Sequence, residues 1–276
     1  MMMTSCTLVA EDFSALGQIS MVAALNVLQA FGIETAALPT TLLSTQTEGF
    51  KTPVRLATDD WLTSAIGHWQ SIPDLQFKGA LIGYLGSIDL MQRLSSLLKN
   101  VTSPVLIDPV MADRGALYPG LSSDYAAQMR AFCQQADVIT PNWTELCLLA
   151  GYNKPLTATL TAFKQMVGEV RSNGIDAQVV ATGVHLEGQE QTLVTDRDDD
   201  VQMIAVNHYP GHFFGAGDTF AALLMANLLT GHDLYSAVQN SCEQLEIAIQ
   251  ETSSYPAERR RYGLKLGKLL ASISKS

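Results

Sequence analysis

Residues Gly215-Ala216-Gly217-Asp218, followed by Thr219-Phe220 and an apolar run from Ala221 to Leu229, combine an anion cradle with a carboxylate. A small-residue loop that opens directly into a helix leaves free backbone N–H groups at the positive end of the helix dipole, where a phosphate or a developing oxyanion is held. Asp218 needs a reason to be there, because a carboxylate repels a phosphate. One reading makes it the acceptor of a proton from an incoming hydroxyl, while the amides of Gly215, Ala216 and Gly217 stabilise the transferred phosphoryl group. The other makes it a helix cap, since Asp and Gly are favoured at helix starts. These six residues alone leave both readings open.

Two further segments carry acids at useful spacings. Val105-Leu-Ile-Asp108-Pro-Val-Met-Ala-Asp113 places two carboxylates five residues apart just past an apolar run. Pro109 biases Asp108 to extended backbone. Such a pair suits a hydrated Mg²⁺, which takes few carboxylates plus substrate phosphates; Asp108 could equally cap a turn. Thr140-Pro-Asn142-Trp-Thr-Glu145 reads as a capping box with Asn in place of Ser or Thr. The functional reading, compatible with it, puts Glu145 beside a metal and Asn142 near phosphates.

The elements that must position these groups alternate along the chain. Short β-like runs are expected at Cys6–Ala10, Glu34–Leu38, Ala80–Tyr84, Val105–Ile107, Asp137–Thr140 and Gln178–Ala181. Helical spacing is expected at Ile19–Phe31, Trp61–Trp69, Ile88–Leu98, Asp124–Cys133, Trp143–Ala150 and Leu160–Arg171, and helices dominate from Asp218 onward. This alternation predicts an α/β fold with a mostly parallel central sheet covered on both faces. Gln191–Thr195 and Val201–Val206, either side of the polar turn Asp196–Asp200, read as an antiparallel hairpin at one edge. No Pro/Gly/Ser-rich linker or internal repeat divides the chain, so one domain over residues 1–276 is expected. Ligands of such sheets bind at the carboxyl ends of the strands. Polar residues gather there: Asp12-Phe13-Ser14, Tyr84 to Ser87, Asp108 to Asp113, Asn142 to Glu145, Thr182-Gly183 and the 215–218 loop.

Composition narrows the partners. A net charge of −10 argues against nucleic acid, which needs basic surface. The one basic cluster, Arg259-Arg260-Arg261, reads as part of a solvated helix. No apolar stretch approaches the roughly 20 residues that span a bilayer, and the N-terminal segment shows no signal-peptide pattern. Met1, Met2 and Met3 read as a disordered start. Four dispersed cysteines without a CxxC pair read as reduced thiols of a cytoplasmic protein. There is no GxxxxGK[ST], HRD, DFG or GxSxG motif, and the five histidines lack metal spacing. His212 lies three residues before the anion loop and could approach it.

Taken together, the segments resemble the ribokinase-like superfamily, and within it the pyridoxal (pyridoxine, pyridoxamine) kinases. The matching pieces are Asp108-Pro-Val-Met-Ala-Asp113 with Gly115-Ala-Leu-Tyr118, Thr140-Pro-Asn-Trp-Thr-Glu145, Gly83-Tyr-Leu-Gly-Ser87 and Gly215-Ala-Gly-Asp218-Thr-Phe220. Leu43–Thr47 with Gly49-Phe50, and Ile249–Thr252 with Arg261-Tyr-Gly263, extend the likeness over nearly the whole chain. The resemblance implies a three-layer sandwich that transfers phosphate from ATP to the 5′-hydroxymethyl group of a B6 vitamer. Asp218 would be the general base and the amides of residues 215–218 the anion hole. Asp113 and Glu145 would organise Mg²⁺, with Asp108, Asn142, Thr182 and Gly183 on the nucleotide side. Ser14, Thr47 and Tyr84 would line the vitamin site. A homodimer is implied as well; a monovalent cation such as K⁺ is left open.

Departures from the pattern concern the vitamin side most. Ala112 stands where Gly is usual, Gln46 where many of these kinases have His, and Gly49-Phe50 where they have Tyr. The segment Phe13–Gly32 looks closer to a bacterial pyridoxamine kinase subgroup. The nearest rival is a hydroxymethylpyrimidine kinase of thiamine synthesis, which usually has Cys at the position of Asp218 and a Gly-Gly-rich N-terminal segment absent here. A sugar kinase would carry a Gly-Gly/Asn pattern and a lid sheet. A catalytically silent protein binding ATP or pyridoxal phosphate would have no need of Asp218, Glu145 and Asp113 together.

Overall fold

Strand residues in this chain sort by parity. Leu8 and Ala10 pack into one hydrophobic cluster and Val9, between them, into another; Ala80 and Ile82 flank Leu81, Val105 and Ile107 flank Leu106, and Val179 and Ala181 flank Val180 in the same way. This is the period of a strand buried on both faces, and it dictates two helical layers around one sheet.

A computed structural model describes residues 4–274. Met1, Met2 and Met3, expected to be disordered, lie outside the described residues. The strands are β1 (Thr4–Ser14), β2 (Thr35–Leu43), β3 (Arg55–Ala57), β4 (Leu75–Ile82), β5 (Val105–Ile107), β6 (Ala112–Asp113), β7 (Ala116–Leu117), β8 (Val138–Ile139), β9 (Gln178–Leu186), β10 (Gln189–Thr195) and β11 (Val201–Val206). The helices are α1 (Met21–Ala30), α2 (Asp59–Gln70), α3 (Ile88–Leu98), α4 (Tyr125–Cys133), α5 (Trp143–Ala150), α6 (Leu160–Ser172), α7 (Ala216–Leu229), α8 (Leu234–Ser253), α9 (Ala257–Arg260) and α10 (Gly267–Ile273).

Nine strands form one sheet in the order β11-β10-β9-β8-β5-β4-β1-β2-β3. From β9 to β2 all neighbours are parallel. The expected hairpin is present as β10–β11 at one edge, and β3 adds an antiparallel strand at the other. Helices α2 to α6 supply the cluster on one face; α1, α7, α8 and α10 supply the other. The three-layer α/β sandwich expected from the sequence is therefore the fold.

Chain order reverses beside β1: the chain leaves it toward β2 and returns on its other side as β4. A crevice opens at such a switch point. Helix α7 sits against it, with every residue from Thr219 to Asn227 buried between sheet, α1 and α8. That explains why its sequence is apolar all round, and it holds the α7 N-terminus rigidly over the strand ends.

Several local expectations are corrected. Asp12 to Ser14 do not follow β1 but are its last residues, beside a register shift against β2 between Glu11 and Phe13. Thr182 and Gly183 lie within β9, where the pairing with β10 slips and Gly183 takes φ 61°. This bulge turns β9 from its parallel neighbour toward the edge hairpin. Asp113 belongs to a separate two-stranded hairpin, β6–β7, turning through Arg114 (φ 50°) and Gly115 (φ 84°). The basic cluster is a solvated helix face only in part: Arg259 and Arg260 lie on α9 and Arg259 is exposed, but Arg260 and Arg261 are engaged. Arg260 donates to the carbonyls of Pro210, Ser253 and Tyr255 and lies over the Phe213 ring at 5.0 Å. Arg261 donates to Gly49 O and covers Phe50 at 4.6 Å.

Candidate active site

Every residue given a site role from the sequence lines one cavity of about 540 Å³ at the carboxyl ends of the parallel strands. β1 contributes Ser14, the loop after β2 contributes Thr47, and the segments after β4 and β5 bring Tyr84 and Asp108. The β6 hairpin brings Asp113, the α5 N-terminus Asn142 and Glu145, and the β9 bulge Thr182 and Gly183. Gly215, Ala216, Gly217 and Asp218 close it from the α7 side.

Gly215, not Asp218, is the residue that caps α7. It takes φ 77°, a left-handed conformation that a side chain resists, and its carbonyl receives the N–H of Thr219. Asp218 is the third residue of the helix and makes no capping hydrogen bond, so the capping explanation for it is removed. Its Oδ2 instead accepts the Ser20 N–H at 2.7 Å. The amides of Gly217 and Asp218 have no acceptor among the described residues. Two free donors on a helix N-terminus fit a phosphoryl group. Burial, then the neighbouring Asp12 carboxylate, push the Asp218 pKa up to about 6. A base with that pKa is ionised at neutral pH yet still basic enough to take a proton.

Ser20 holds that N–H by a strained backbone, φ 48° and ψ −128°, a conformation costing roughly 1–3 kcal/mol in a residue with a side chain. The strain is held from the C-terminal part of the chain. Gln18 N–H donates to Tyr262 O at 2.7 Å, and Gln18 bridges Gly263. Gln46 donates to the Arg261 carbonyl, and Phe50 packs edge-on to Tyr262 at 5.0 Å. Arg261-Tyr262-Gly263 thus clamps both the segment that presents Ser20 and the loop that carries Thr47.

Glu145 is 3% exposed and fully engaged. Its Oε1 accepts from Met111 N–H at 3.0 Å and Ala112 N–H at 3.3 Å, and its Oε2 from Asn142 N–H at 2.9 Å. Asn142 completes the capping box through Glu145 N–H and donates its amide to Ala112 O at 2.7 Å. The pair anchors the loop between Asp108 and Asp113 to α5. Ala112, where Gly was the expected residue, is buried without left-handed backbone, so the loop needs no glycine there. Glu145→Ala leaves two buried N–H groups, of Met111 and Ala112, and the part-buried one of Asn142 without an acceptor. It should lower stability by roughly 2–4 kcal/mol in urea denaturation.

Asp113 is 39% exposed and pairs with Arg114 at 3.5 Å. Arg114 meets His212 at 3.2 Å, and His212 reaches Glu48 at 3.6 Å, so polar contacts cross the cavity mouth and His212 does approach the site. Asp108 is buried, 3.9 Å from where a Cβ on Gly217 would lie. Burial, then Asp218, raise its pKa to about 8. Among the described residues no three His, Cys, Asp or Glu side chains are grouped to hold a metal. A Mg²⁺ here would take most of its ligands from phosphate and water, as that ion prefers; of the two expected acids Asp113 is the part-exposed one, whereas both Glu145 oxygens already accept N–H groups.

Glu11 and Ser20 were missed in the sequence, and Asp12 was placed at the strand end without a role. Asp12 is 5% exposed, lines the cavity, and accepts the hydroxyl of fully buried Ser14 at 3.0 Å. β1 therefore presents Asp12, with Ser14 fixing it. Glu11 is 2% exposed with Oε2 unpartnered, packed against Gly83 at the switch point. Ser20 carried no signal, whereas two consecutive acids ending an apolar run, Glu11-Asp12, were a readable one.

A carboxylate on the first turn of a buried helix, free amides beside it and acids on the facing strand ends form the site of a ribokinase-like kinase. The chain belongs to the phosphomethylpyrimidine kinase family, whose model matches residues 21–261. It is 38% identical to the pyridoxal kinase of Lactobacillus plantarum, whose crystal structure superposes with a TM-score of 0.88 over 99% of this chain and 97% of that one. A Bacteroides thetaiotaomicron protein named as a phosphomethylpyrimidine kinase, crystallised with pyridoxal, is 27% identical with a TM-score of 0.89 over 99% and 96% of the two chains. The pyridoxine/pyridoxal/pyridoxamine kinase of Bordetella bronchiseptica is 26% identical over 257 residues, 86% of this chain and 85% of that protein. No helix among the described residues is long and apolar enough to cross a membrane.

Proposed function

We propose that the chain phosphorylates the 5′-hydroxymethyl group of B6 vitamers with ATP and Mg²⁺, as a single catalytic domain in the cytoplasm. The observation that carries this reading is Asp218, placed on the first turn of α7 beside two free amides and held by Ser20 N–H. The 38% identity to a pyridoxal kinase supports the choice of substrate. MgATP supplies the phosphoryl group when bound. Asp218 takes the proton of the substrate hydroxyl as the amides of residues 215–218 receive the charge that develops on the transferred group. Asp113 and Glu145 organise the metal, and Asp108, Asn142, Thr182 and Gly183 flank the phosphates. Ser14 through Asp12, Thr47 and Tyr84 line the vitamin. Tyr84 is fixed by Thr40, whose hydroxyl donates to its carbonyl at 2.7 Å. A second cavity of about 450 Å³ between β11 and α8 shares Thr182, Gly183, Ala216 and Gly217 with the first and suits the nucleoside.

ATP turnover by the purified protein with Mg²⁺ tests the reading, with pyridoxal, pyridoxine, pyridoxamine and hydroxymethylpyrimidine offered in parallel. Turnover confined to the vitamers is the expected result. Turnover on the pyrimidine alone establishes the second reading, hydroxymethylpyrimidine kinase, which the family model favours.

A homodimer through the β3 edge belongs to the same proposal. Val54, Leu56 and Trp61 are 77%, 62% and 51% exposed along that edge, an apolar, unpaired border of the kind proteins cover. Sedimentation should give twice the chain mass for the wild type and the single chain mass for Leu56→Asp.

A further inference from the structure

A polyphosphate that enters this site meets mostly negative charge. Seven of the side chains lining the cavity are carboxylates, and Arg114 is the single lysine or arginine among the described residues there. The adjoining cavity adds Glu243 and Glu246 and no basic side chain. The α7 amides supply only partial positive charge, so a full charge close by has a large effect on an anion in such a cleft.

The placement of Arg114 fits that use. The turn that carries it is fixed on both sides to α5: Ala112 N–H donates to Glu145 at 3.3 Å and Gly115 N–H to the Thr144 hydroxyl at 3.0 Å. Arg114 is held there at φ 50°, left-handed backbone that a residue with a side chain adopts at a cost. The side chain beyond this rigid base is 76% exposed and loosely engaged. Its Nε lies 3.5 Å from Asp113, and its Nη2 lies 3.2 Å from His212 Nδ1. A guanidinium only donates, so Nδ1 accepts and the imidazole is neutral, with its proton on Nε2 toward Glu48. An exposed ion pair and a neutral acceptor hold a guanidinium weakly. Phosphate oxygens offer it charged and bidentate partners instead. His212 precedes Gly215 by three residues, which brings Arg114 to the edge of the loop that holds the free amides.

Resting on the kinase reading, we propose that Arg114 is a nucleotide-binding residue. Its guanidinium exchanges His212 for the terminal phosphates of ATP, and so supplies the positive charge that the acid-lined cavity otherwise lacks. His212 is then the resting partner of Arg114, and Glu48 and Asp113 keep the guanidinium at the cavity mouth until the nucleotide arrives.

Calorimetric titration with ATP and with adenosine, both in the presence of Mg²⁺, tests this in the wild type, Arg114→Gln and Arg114→Lys. Arg114→Gln should weaken ATP by roughly tenfold or more and leave adenosine unchanged. Arg114→Lys keeps the charge and should recover most of the loss. In the glutamine variant the KM for ATP should rise while the KM for the acceptor holds. Wild-type affinity for ATP should also fall more steeply with added KCl than that of the glutamine variant. The side chain is exposed, and unchanged adenosine binding shows that the variant is folded. Equal ATP affinity in the wild type and Arg114→Gln overturns the proposal. So does an equal loss for adenosine, which marks a purely structural role. Vitamer turnover by the wild type is scored separately. An Arg114-dependent ATP affinity with no vitamer phosphorylated supports this inference and overturns the choice of acceptor alone.

Discussion

Asp218→Asn should lower kcat by at least roughly 10²-fold while leaving ATP and vitamer binding close to wild type. Asparagine keeps the shape and can still accept the Ser20 N–H that Asp218 Oδ2 receives at 2.7 Å, so the α7 turn need not move. It cannot take a proton. In the wild type, kcat/KM should rise with pH through an apparent pKa near 6, the value to which burial and Asp12 push Asp218, and level off above it. The variant should lose that limb. Stability should move the other way. The folded state holds this proton more tightly than the unfolded chain, so stability is greatest at low pH and declines as pH rises toward the folded pKa. Removing the charge should then stabilise the variant at pH 8 by about 1–2 kcal/mol, a Tm rise of a few degrees. A variant that binds both ligands and turns over at the wild-type rate sinks the assigned mechanism.

Gly263→Ala should reduce both stability and turnover. Gly263 has φ 89°, and a Cβ there would lie 2.3 Å from the Gln18 carbonyl oxygen and 2.9 Å from Ile19 Cγ1. Neither neighbour is the end of a flexible side chain; one is the backbone that leads into Ser20. Relief requires the segment from Gln18 to Ser20 to shift, and with it the N–H that holds the base. The expected loss is roughly 2–4 kcal/mol by thermal or urea denaturation. A fall in kcat should persist at temperatures where the variant is fully folded. Wild-type kcat in a folded Gly263→Ala protein would show that the clamp does not govern the base.

Legibility in the sequence followed the physics of each element. α3, β5, α5 and β11 fall on the residues read from periodicity and caps, because their signals are local. β1 was read as ending at Ala10, since Glu11 and Asp12 break the apolar run. Yet the strand continues to Ser14 with both acids buried. Buried carboxylates contradict the pattern of a core strand, and they do so where the site lies. β3, β6 and β7 have two or three residues each, too short for any periodicity. The residues of the site converged as expected, because polar strand ends in a parallel sheet share one edge. What local pattern could not reveal were contacts across the chain, such as Ser20 to Asp218 and Gln18 to Tyr262.

The clamp at Arg261-Tyr262-Gly263 also sets an order of assembly. Synthesis runs from the N-terminus at about 5–20 residues per second, and structure forms as the chain emerges. By residue 206 the last strand has been made, and by residue 229 the helix that carries the base. Ser20, made well before either, has its segment supported from residues 262 and 263. A nascent chain arrested between those points would own a finished sheet while the segment that presents Ser20 still lacked its clamp.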